Sequence, residues 1–348
     1  MSYRHYVIGR GVIGLACAWA LARAGLAVTV IEQAAAPLPA NASAAAAGFL
    51  SATLPAQASA MGRFQQLSRQ LYPDFIANLA GAPANLLQAA GHLRLCSPEA
   101  NSADDDINAQ PLTPAQQLAW QPFLPASCVP YYNPHSLHLS PTALLAALTQ
   151  AAQALGVKFL SATTASLNAD GELLLQGQAT AAASVIIAAG HRSSALLAAL
   201  GVIAYPLRPK VGLALICPLA AARQPPLPVS FKHYYALPRP SEGAVYLGAS
   251  NAWGETPSPT AMAELHEIAA CYFPWLGPAL ALATAVTGVR AVPAKPGPYV
   301  GRLPTYPHIY LASAHGSGGV KSAPLTAYII QRLICNDPMP KEWAEWVL

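Results

Sequence analysis

Charged side chains are scarce in this chain, and no long block of basic residues occurs in it. Aspartate, glutamate, lysine and arginine make up 10% of the 348 residues, and the 19 basic and 15 acidic side chains leave a formal net charge of +4. Charge this mild does not by itself indicate a nucleic-acid-binding protein, although it does not exclude a polyanionic substrate. Hydrophobic residues reach 54%. A large core can therefore form, in two domains or in one large domain with an insertion.

Disulfide and metal-ligand spacings are also missing. The acidic run at Asp104, Asp105 and Asp106 has no further ligands at metal-site spacing, so we expect a solvated loop or a helix cap there. Scattered cysteines without a CxxC pair favour buried free thiols in a reducing cytosol. The six cysteines are Cys17, Cys96, Cys128, Cys217, Cys271 and Cys335. We therefore expect a cytoplasmic protein with no bound metal.

The apolar run at residues 11–31 is the part of the chain that could be mistaken for a membrane helix. Arg10 stands at its start, and Arg23 and Gly25 interrupt it. A glycine pattern explains the run better than a signal anchor does. We therefore expect no targeting segment and no membrane insertion.

The same region contains a strand, a glycine turn, a helix, a second strand and an acid. Residues 5–8 are apolar, Gly9, Gly11 and Gly14 follow, and after an Ala/Leu-rich segment a β-branched run ends at Glu32. In dinucleotide-binding proteins such glycines permit a tight turn, close approach to the pyrophosphate and close helix packing, while the acid binds a ribose hydroxyl. The free N–H groups of the helix start face the phosphates. The pattern predicts FAD or NAD rather than NADP.

Further along the chain, helix and strand patterns alternate with glycine turns. The loop from Ser43 to Gly48 has small side chains that allow close approach to a flat ligand, and a flexible alanine-rich loop is the alternative. Ser140 and Pro141 predict the start of a helix that Gly156 ends. Helices are predicted at residues 61–80, 141–155, 261–272 and about 325–335, and strands at 92–96, 157–160, 171–176, 183–190, 211–216, 230–237, 244–249 and 309–312.

These segments together resemble the FAD-dependent D-amino-acid oxidase superfamily, which includes glycine oxidase, sarcosine oxidase and D-amino-acid dehydrogenases. The resemblance runs through nearly the whole chain in order, in VIGRGVIG with Glu32, NASAAAAGF, HLSPTALLAAL, VIIAAG, YYALPRP with YLGAS, GVRAVPAKPGPYVGRLP and HGSGGVKSAPLTAYII. The last two segments look closest to the FAD domain of the bifunctional tRNA enzyme that makes 5-methylaminomethyl-2-thiouridine. Lys295, and Gly318 or Gly319, depart from that enzyme's expected acidic and basic residues.

The resemblance implies an α/β fold, with a Rossmann-like FAD-binding domain of the GR2 type and an inserted α+β substrate domain built on an antiparallel sheet. It implies a discontinuous FAD-binding domain at residues 1–80, 131–204 and 286–348, and a substrate-binding domain at 81–130 and 205–285. The implied cofactor is non-covalent FAD, because no Cys or His stands where superfamily members attach the flavin.

The resemblance also implies the site residues. Arg290 falls where the family grips the substrate carboxylate, and Tyr234 or Tyr235 could orient the amine or the carboxylate. Lys321 could modulate the flavin or touch an anionic substrate, and a solvated lysine at a helix start is the alternative. Since alternate residues of a strand face opposite sides, at most one of the two tyrosines lines the pocket. The implied FAD-binding residues are Gly9, Gly11, Val12, Ile13, Gly14, Glu32, Gln33, Ser43, Ala47, Gly48, Ala189, Gly190, Gly316, Ser317, Gly318, Gly319, Val320 and Lys321.

Three functions follow as hypotheses. The first is a flavoenzyme that oxidises a C–N bond in an amino acid or an N-substituted glycine by hydride transfer to flavin N5, with oxygen or a quinone chain as electron acceptor. The second is a tRNA-modifying oxidase, for which a basic surface would surround the flavin mouth. Its basic residues would be Arg192, Lys210, Arg239, Lys295, Arg302 and Lys321. The third is a flavin-binding protein with a decayed pocket. His191, His233 and His315 are interpreted as structural.

Overall fold

The computed structural model describes residues 4–35, 41–53, 58–89, 91–98, 106 and 108–348. The strands are β1 His5–Ile8, β2 Val28–Ile31, β3 Phe49–Leu50, β4 Leu87–Ala89, β5 His92–Cys96, β6 Gln110–Pro111, β7 Val129–Asn133, β8 Leu137–Leu139, β9 Lys158–Leu160, β10 Ala165–Leu167, β11 Leu173–Leu175, β12 Gln178–Thr180, β13 Ser184–Ile187, β14 Leu207–Pro218, β15 Val229–Phe231, β16 Tyr234–Arg239, β17 Ala244–Gly248, β18 Ala252–Trp253, β19 Thr284–Pro293, β20 Tyr299–Arg302 and β21 Ile309–Ser313. The helices are α1 Val12–Arg23, α2 Ala60–Gln70, α3 Tyr72–Ala77, α4 Pro114–Trp120, α5 Pro141–Ala154, α6 Ser193–Ala199, α7 Ala261–Tyr272, α8 Gly319–Cys335 and α9 Lys341–Ala344.

The first sheet has six strands in the order β20-β21-β13-β1-β2-β9. All neighbours pair in parallel except β20, which is an antiparallel edge. Strands β2 and β13 are buried at every residue, as expected for parallel strands that are covered on both faces. The predicted strand, glycine turn and helix units at both ends of the chain therefore meet in one parallel sheet.

Helix α1 is the central helix on one face of this sheet. Its residues from Val12 to Ala22 are all buried, and it packs between α8 and α5. Alanine side chains allow the three helices to approach closely. Helix α5 starts as predicted, since the Ser140 hydroxyl accepts the backbone N–H of Ala143 and Pro141 occupies the first turn.

The second sheet has nine strands, and it is antiparallel apart from the parallel pair β5–β15. Its order is β18-β14-β17-β16-β15-β5-β7-β6, and β19 pairs with β14 along ten residues of each strand. Helix α7 covers one face, with Leu265 and Phe273 fully buried against the strands. A parallel α/β sheet combined with an antiparallel sheet confirms the predicted fold class.

The predicted single strand at residues 230–237 is wrong. The chain forms a hairpin there, because β15 and β16 pair antiparallel with Phe231 opposite Tyr234. Lys232, in the two-residue turn, has φ +52. Hairpin turns with positive φ usually contain glycine or asparagine, so a lysine gave no signal for this turn.

Helix α8 begins six residues earlier than predicted, at Gly319 rather than near Leu325. Pro324 lies inside the helix and cannot donate to the carbonyl of Val320, one turn before it. The hydroxyl of Tyr72 donates to that carbonyl instead. A buried side chain from another helix therefore satisfies the group that the proline leaves free.

The predicted helix at residues 61–80 is two helices, α2 and α3, which meet at Leu71. Pro73 lies in the first turn of α3, where a proline is tolerated. Pro73 has no N–H to donate to the carbonyl of Arg69, four residues before it, so the run of helical hydrogen bonds is interrupted at this point.

Two predicted domain boundaries fall at strands of the second sheet. Strand β7 spans 129–133 across the boundary at 131, and β19 spans 284–293 across the boundary at 286. Arg290 therefore lies on the second sheet, although it belongs to the predicted FAD-binding segment.

Cysteine burial is uneven. Cys17, Cys96 and Cys217 are buried, Cys128 and Cys335 are half-buried, Cys271 is exposed, and all six are free.

Of the acidic run, Asp104 and Asp105 lie outside the described residues, whereas Asp106 is buried and accepts a hydrogen bond from Asn133.

Within the described ranges, every helix is too short or too polar to cross a membrane. Over the same ranges, His, Cys, Asp and Glu side chains never gather in a group that could hold a metal ion.

Candidate active site

A cleft of about 1080 Å³ lies where the two sheets meet. The first sheet contributes the turns after β1, β13 and β21, and the second sheet contributes residues of β15, β16, β17 and β19. Of the predicted FAD-binding residues, only Gly14 does not line the cleft. The carboxyl ends of parallel strands are where α/β sheets bind nucleotides.

Gly9 and Gly14 shape the turn between β1 and α1. A Cβ on Gly14 would lie 2.0 Å from the carbonyl oxygen of Gly9, and a Cβ on Gly9 would lie 2.5 Å from that of Ala188. Gly9 also has φ +112, which L side chains rarely adopt. Gly14 therefore holds α1 close to β1, and Gly9 lets the turn pass close to the backbone that follows β13.

The start of α1 keeps donors available to an anion. Its N-cap, Gly11, offers no side chain, and the N–H of Val12 donates to the hydroxyl of Ser43 at 3.0 Å. Ser43 thereby ties the loop of small residues to the predicted pyrophosphate position. Gly48, with φ +77, passes so close to Leu139 that a Cβ would lie 1.9 Å from its carbonyl oxygen.

Glu32 stands at the end of β2, on the same side of the cleft. Its two carboxylate oxygens accept the backbone N–H groups of Arg10 and Ala34, each at 3.1 Å. These hydrogen bonds fix the carboxylate, whose remaining lone pairs can accept ribose hydroxyls. Gln33 is held beside it by Arg192, whose Nη1 donates to Oε1 at 3.1 Å.

The second glycine turn forms the other end of the cleft. Residues Gly316–Gly318 make one 3-10 turn, and α8 follows without a side-chain cap. Gln65 of α2 packs against Gly318, where a Cβ would lie 1.9 Å from its amide nitrogen. Two uncapped helix starts, a fixed acid and a loop of small residues thus surround one elongated cleft, and they fit a dinucleotide with a flat ring system.

Arg290 lies on the substrate side of this cleft. Its guanidinium packs on Gly212 of β14, where a Cβ would lie 2.1 Å from Nη2, and its Nη1 donates to Oδ1 of Asn251. Neither of the ion pairs between described residues involves Arg290. A half-buried guanidinium whose positive charge is not neutralised by a carboxylate can receive a carboxylate through two parallel hydrogen bonds.

Tyr235 lines the cleft and Tyr234 does not. Tyr234 faces α7, where its hydroxyl donates to Glu264, so the structure removes it from the predicted substrate site. Tyr235 stacks parallel to Tyr246 of β17, with ring centroids 6.1 Å apart. Burial raises the pKa of Tyr235, and the nearby charge of Arg290 partly opposes that shift.

Lys321 enters the cleft from the first turn of α8. Its Nζ donates to the carbonyl oxygen of Ser51 at 3.0 Å. Burial, together with the charge of Arg69, lowers the pKa of this amine to about 8. Lys321 therefore loses its charge at a lower pH than an ordinary lysine does.

The histidines of the cleft differ in exposure. His315 is buried and its Nε2 lies 2.9 Å from the hydroxyl of Thr326, and burial lowers its pKa to about 3. His191 lies 3.9 Å from Glu255, and burial lowers its pKa as well. His233 lies in the exposed turn of the β15–β16 hairpin.

The six basic residues predicted to surround the mouth of the cleft do not gather there. Only Arg192 and Lys321 line it. Arg239 is tied to the loop of small residues by bonds to the carbonyls of Ala46 and Ala47. Lys295 donates to the carbonyl of Ala204, away from the cleft.

Sequence reasoning missed Tyr246, Asn251 and Gly212. The hydroxyl of Tyr246 donates to the carbonyl oxygen of Ala45 at 3.0 Å, so this residue joins the second sheet to the FAD-side loop. All three residues meet Arg290 or the loop through pairing of distant strands. Tyr246 begins the YLGAS segment, but nothing local in the sequence indicates these contacts.

Comparison with known proteins agrees with this geometry. Residues 5–333 match the family described as FAD dependent oxidoreductase. Glycine oxidase from Bacillus licheniformis is 25% identical over an alignment of 370 residues. The alignment covers 99% of this chain and 96% of that protein.

Solved structures show the same similarity. Glycine oxidase from Geobacillus kaustophilus has a TM-score of 0.85 at 25% identity and covers 99% of this chain and 98% of its own. Iminodiacetate oxidase from Chelativorans sp. BNC1 has a TM-score of 0.81 at 21% identity, with 98% of each chain covered. The cleft fits FAD, and the family match spans most of the chain. The chain therefore belongs to the DAO family of FAD-dependent oxidoreductases.

Proposed function

We propose that this enzyme oxidises the C–N bond of an amino acid or of an N-substituted glycine. The observation that carries the proposal is Arg290, a half-buried guanidinium in the cleft that no carboxylate of the described residues neutralises. An amine with a carboxylate on its α-carbon presents the partner that this group lacks. The names of the relatives, glycine oxidase and iminodiacetate oxidase, support the same substrate class.

Arg290 holds the carboxylate and thereby fixes the α-carbon. Asn251 keeps the guanidinium in place, and Gly212 leaves space for it. Tyr235 and Tyr246 form an aromatic wall that excludes water from the substrate. Orientation of this kind is the main contribution that a protein makes to a reaction whose chemistry belongs to the cofactor.

Bound FAD supplies an acceptor for the two electrons of a hydride from the substrate α-carbon. The amine must be neutral at that moment, and the positive charges of Arg290 and Lys321 favour loss of its proton. The substrate imine then takes up water and splits into a 2-oxo acid and an amine. The net reaction consumes one water and passes two electrons and two protons to the final acceptor.

An anaerobic screen tests the proposal. The purified protein is expected to be yellow and to release its flavin on acid precipitation, because the FAD is held without a covalent bond. Glycine, N-methylglycine or another N-substituted glycine is expected to bleach the flavin. If the protein takes up FAD but no amino acid or N-substituted glycine reduces it, the proposal fails and a decayed pocket is the better interpretation.

A further inference from the structure

Three neighbouring strands of the second sheet place charged and aromatic residues on one face. Val211 of β14 pairs with Ala252 of β18, and Lys210 pairs with Arg290 of β19. Directly opposed residues of antiparallel strands share a face and have Cβ atoms about 5 Å apart. The face that carries Arg290 therefore continues outward through Lys210.

Trp253 extends this face at its outer edge. The indole is 54% exposed, and the Arg208 guanidinium lies 4.3 Å and the Lys210 ammonium 5.1 Å from its ring centroids. Cations over an indole gain a cation–π attraction that holds them in place. In the described part of the chain, neither Arg208 nor Lys210 forms an ion pair. We call Arg208, Lys210 and Trp253 the cationic rim.

The cationic rim adjoins the Arg290 site. Arg290 donates to Asn251, two residues before Trp253, and Lys232 and His233 line the same end of the cleft. Partial burial lowers the pKa of His233, Glu264 raises it, and the charges of Lys210 and Lys232 lower it further. Lys210 therefore acts electrostatically on the cleft lining.

We propose that the cationic rim binds a second anionic group on the substrate, carried by the substituent of its amine nitrogen. The inference rests on the proposed function and specifies its substrate class as N-substituted glycines with a second carboxylate. One carboxylate lies on Arg290, and the other lies a short chain away, at Lys210. Oxidation of iminodiacetate would then consume one water, give glyoxylate and glycine, and pass two electrons and two protons to the acceptor.

A small dianion suits this surface better than RNA does. The cations that lie near Arg290 include those of the rim and Lys232, whereas Arg239 and Lys295 bond to backbone carbonyls elsewhere. Binding to a nucleic acid backbone needs a stripe of cations that follows several phosphates. The cationic rim instead offers a single anion site, next to the anion site at Arg290.

Matched substrates test the proposal in the holoenzyme. Iminodiacetate has the second carboxylate, and its monoamide has the same size without that charge. The wild type is expected to show kcat/KM about tenfold higher for iminodiacetate, mostly through a lower KM, because the distal group lies away from the reacting atoms. Lys210→Met is expected to reduce this ratio to about twofold or less. Lys158→Met, at an exposed edge of the first sheet, is expected to keep it.

The outcomes separate the two proposals. If both compounds reduced the flavin of the wild type equally well, the anion site on the cationic rim would be overturned and the proposed function would stay intact. An unchanged ratio of kcat/KM values in Lys210→Met would have the same meaning. So would a wild-type ratio near one together with competition by tRNA. Flavin reduced by no N-substituted glycine would overturn both. The wild-type comparison needs no variant, so poor folding of Lys210→Met does not leave the proposal untested.

Discussion

The two sheets that meet at the cleft are built in different ways. In the first sheet, the glycine turns and the acid of the FAD site follow their strands within a few residues, as Gly9 follows β1, Glu32 follows β2 and the second glycine turn follows β21. In the second sheet, the site arises from cross-strand contacts, such as Arg290 over Gly212 and Tyr235 beside Tyr246. The cofactor site therefore depends on local turns, whereas the substrate site depends on the register of distant strands.

Gly14→Ala attacks the local turn and is expected to have the largest effect on FAD binding. Its methyl group would meet the carbonyl of Gly9 at 2.0 Å, so α1 must move from β1. We expect FAD affinity to fall at least roughly a hundredfold, about 2.7 kcal/mol. Titration of the apoprotein with FAD measures it. Gly62→Ala in α2, where a Cβ meets only ordinary contacts, is the control and should bind FAD normally.

Arg290→Leu attacks the cross-strand site alone. Loss of a charged partner for the substrate carboxylate is expected to lower kcat/KM by about 2–5 kcal/mol, roughly 30-fold to several-thousandfold. The affinity for FAD should stay within about twofold of the wild type. Steady-state kinetics and FAD titration measure the two effects, and Arg302→Leu on the exposed edge of β20 is the control. Equal losses of kcat/KM and of FAD affinity in Arg290→Leu would mean that the two sites are not separable.

Lys321→Met tests the cation that enters the cleft from the first turn of α8. Burial lowers the pKa of Lys321 to about 8, below its ordinary 10.5, so the folded protein releases this proton before the unfolded chain does. Stability from this group therefore rises between about pH 8 and pH 10.5, by about 1–2 kcal/mol after allowance for its partial exposure. Urea unfolding across this range should show the rise in the wild type and in Lys341→Met, but not in Lys321→Met. A rise that persists in Lys321→Met would contradict this assignment.

The smallest effects are expected from the two stacked tyrosines. Tyr246→Phe removes the donor to Ala45 and should weaken FAD binding by about 1 kcal/mol, roughly fivefold. Tyr235→Phe keeps the ring that lines the cleft and should change FAD affinity by less than about twofold. Parallel FAD titrations compare them. If the two variants were equally impaired, the hydrogen bond to the loop would not be the cause.

Elements with local signals were predictable from sequence. The first glycine turn and the Ser140 cap lie where predicted, since each depends on residues adjacent in the chain. Residues paired across strands were not, because Gly212 gains its role only when Arg290 lies over it. The hairpin at Lys232 was missed because a lysine with positive φ has no turn signature. The predicted domain boundaries remain a prediction, although two of them cut strands of the second sheet.

The central claim is that this enzyme selects amines by their carboxylate. Anaerobic stopped-flow reduction of the holoenzyme with N-methylglycine and with dimethylamine, which lacks only the carboxylate, tests it most directly. The expected result is flavin bleaching by N-methylglycine at least about a hundredfold faster than by dimethylamine, because only N-methylglycine can bind Arg290. Equal rates for the two amines would contradict the account.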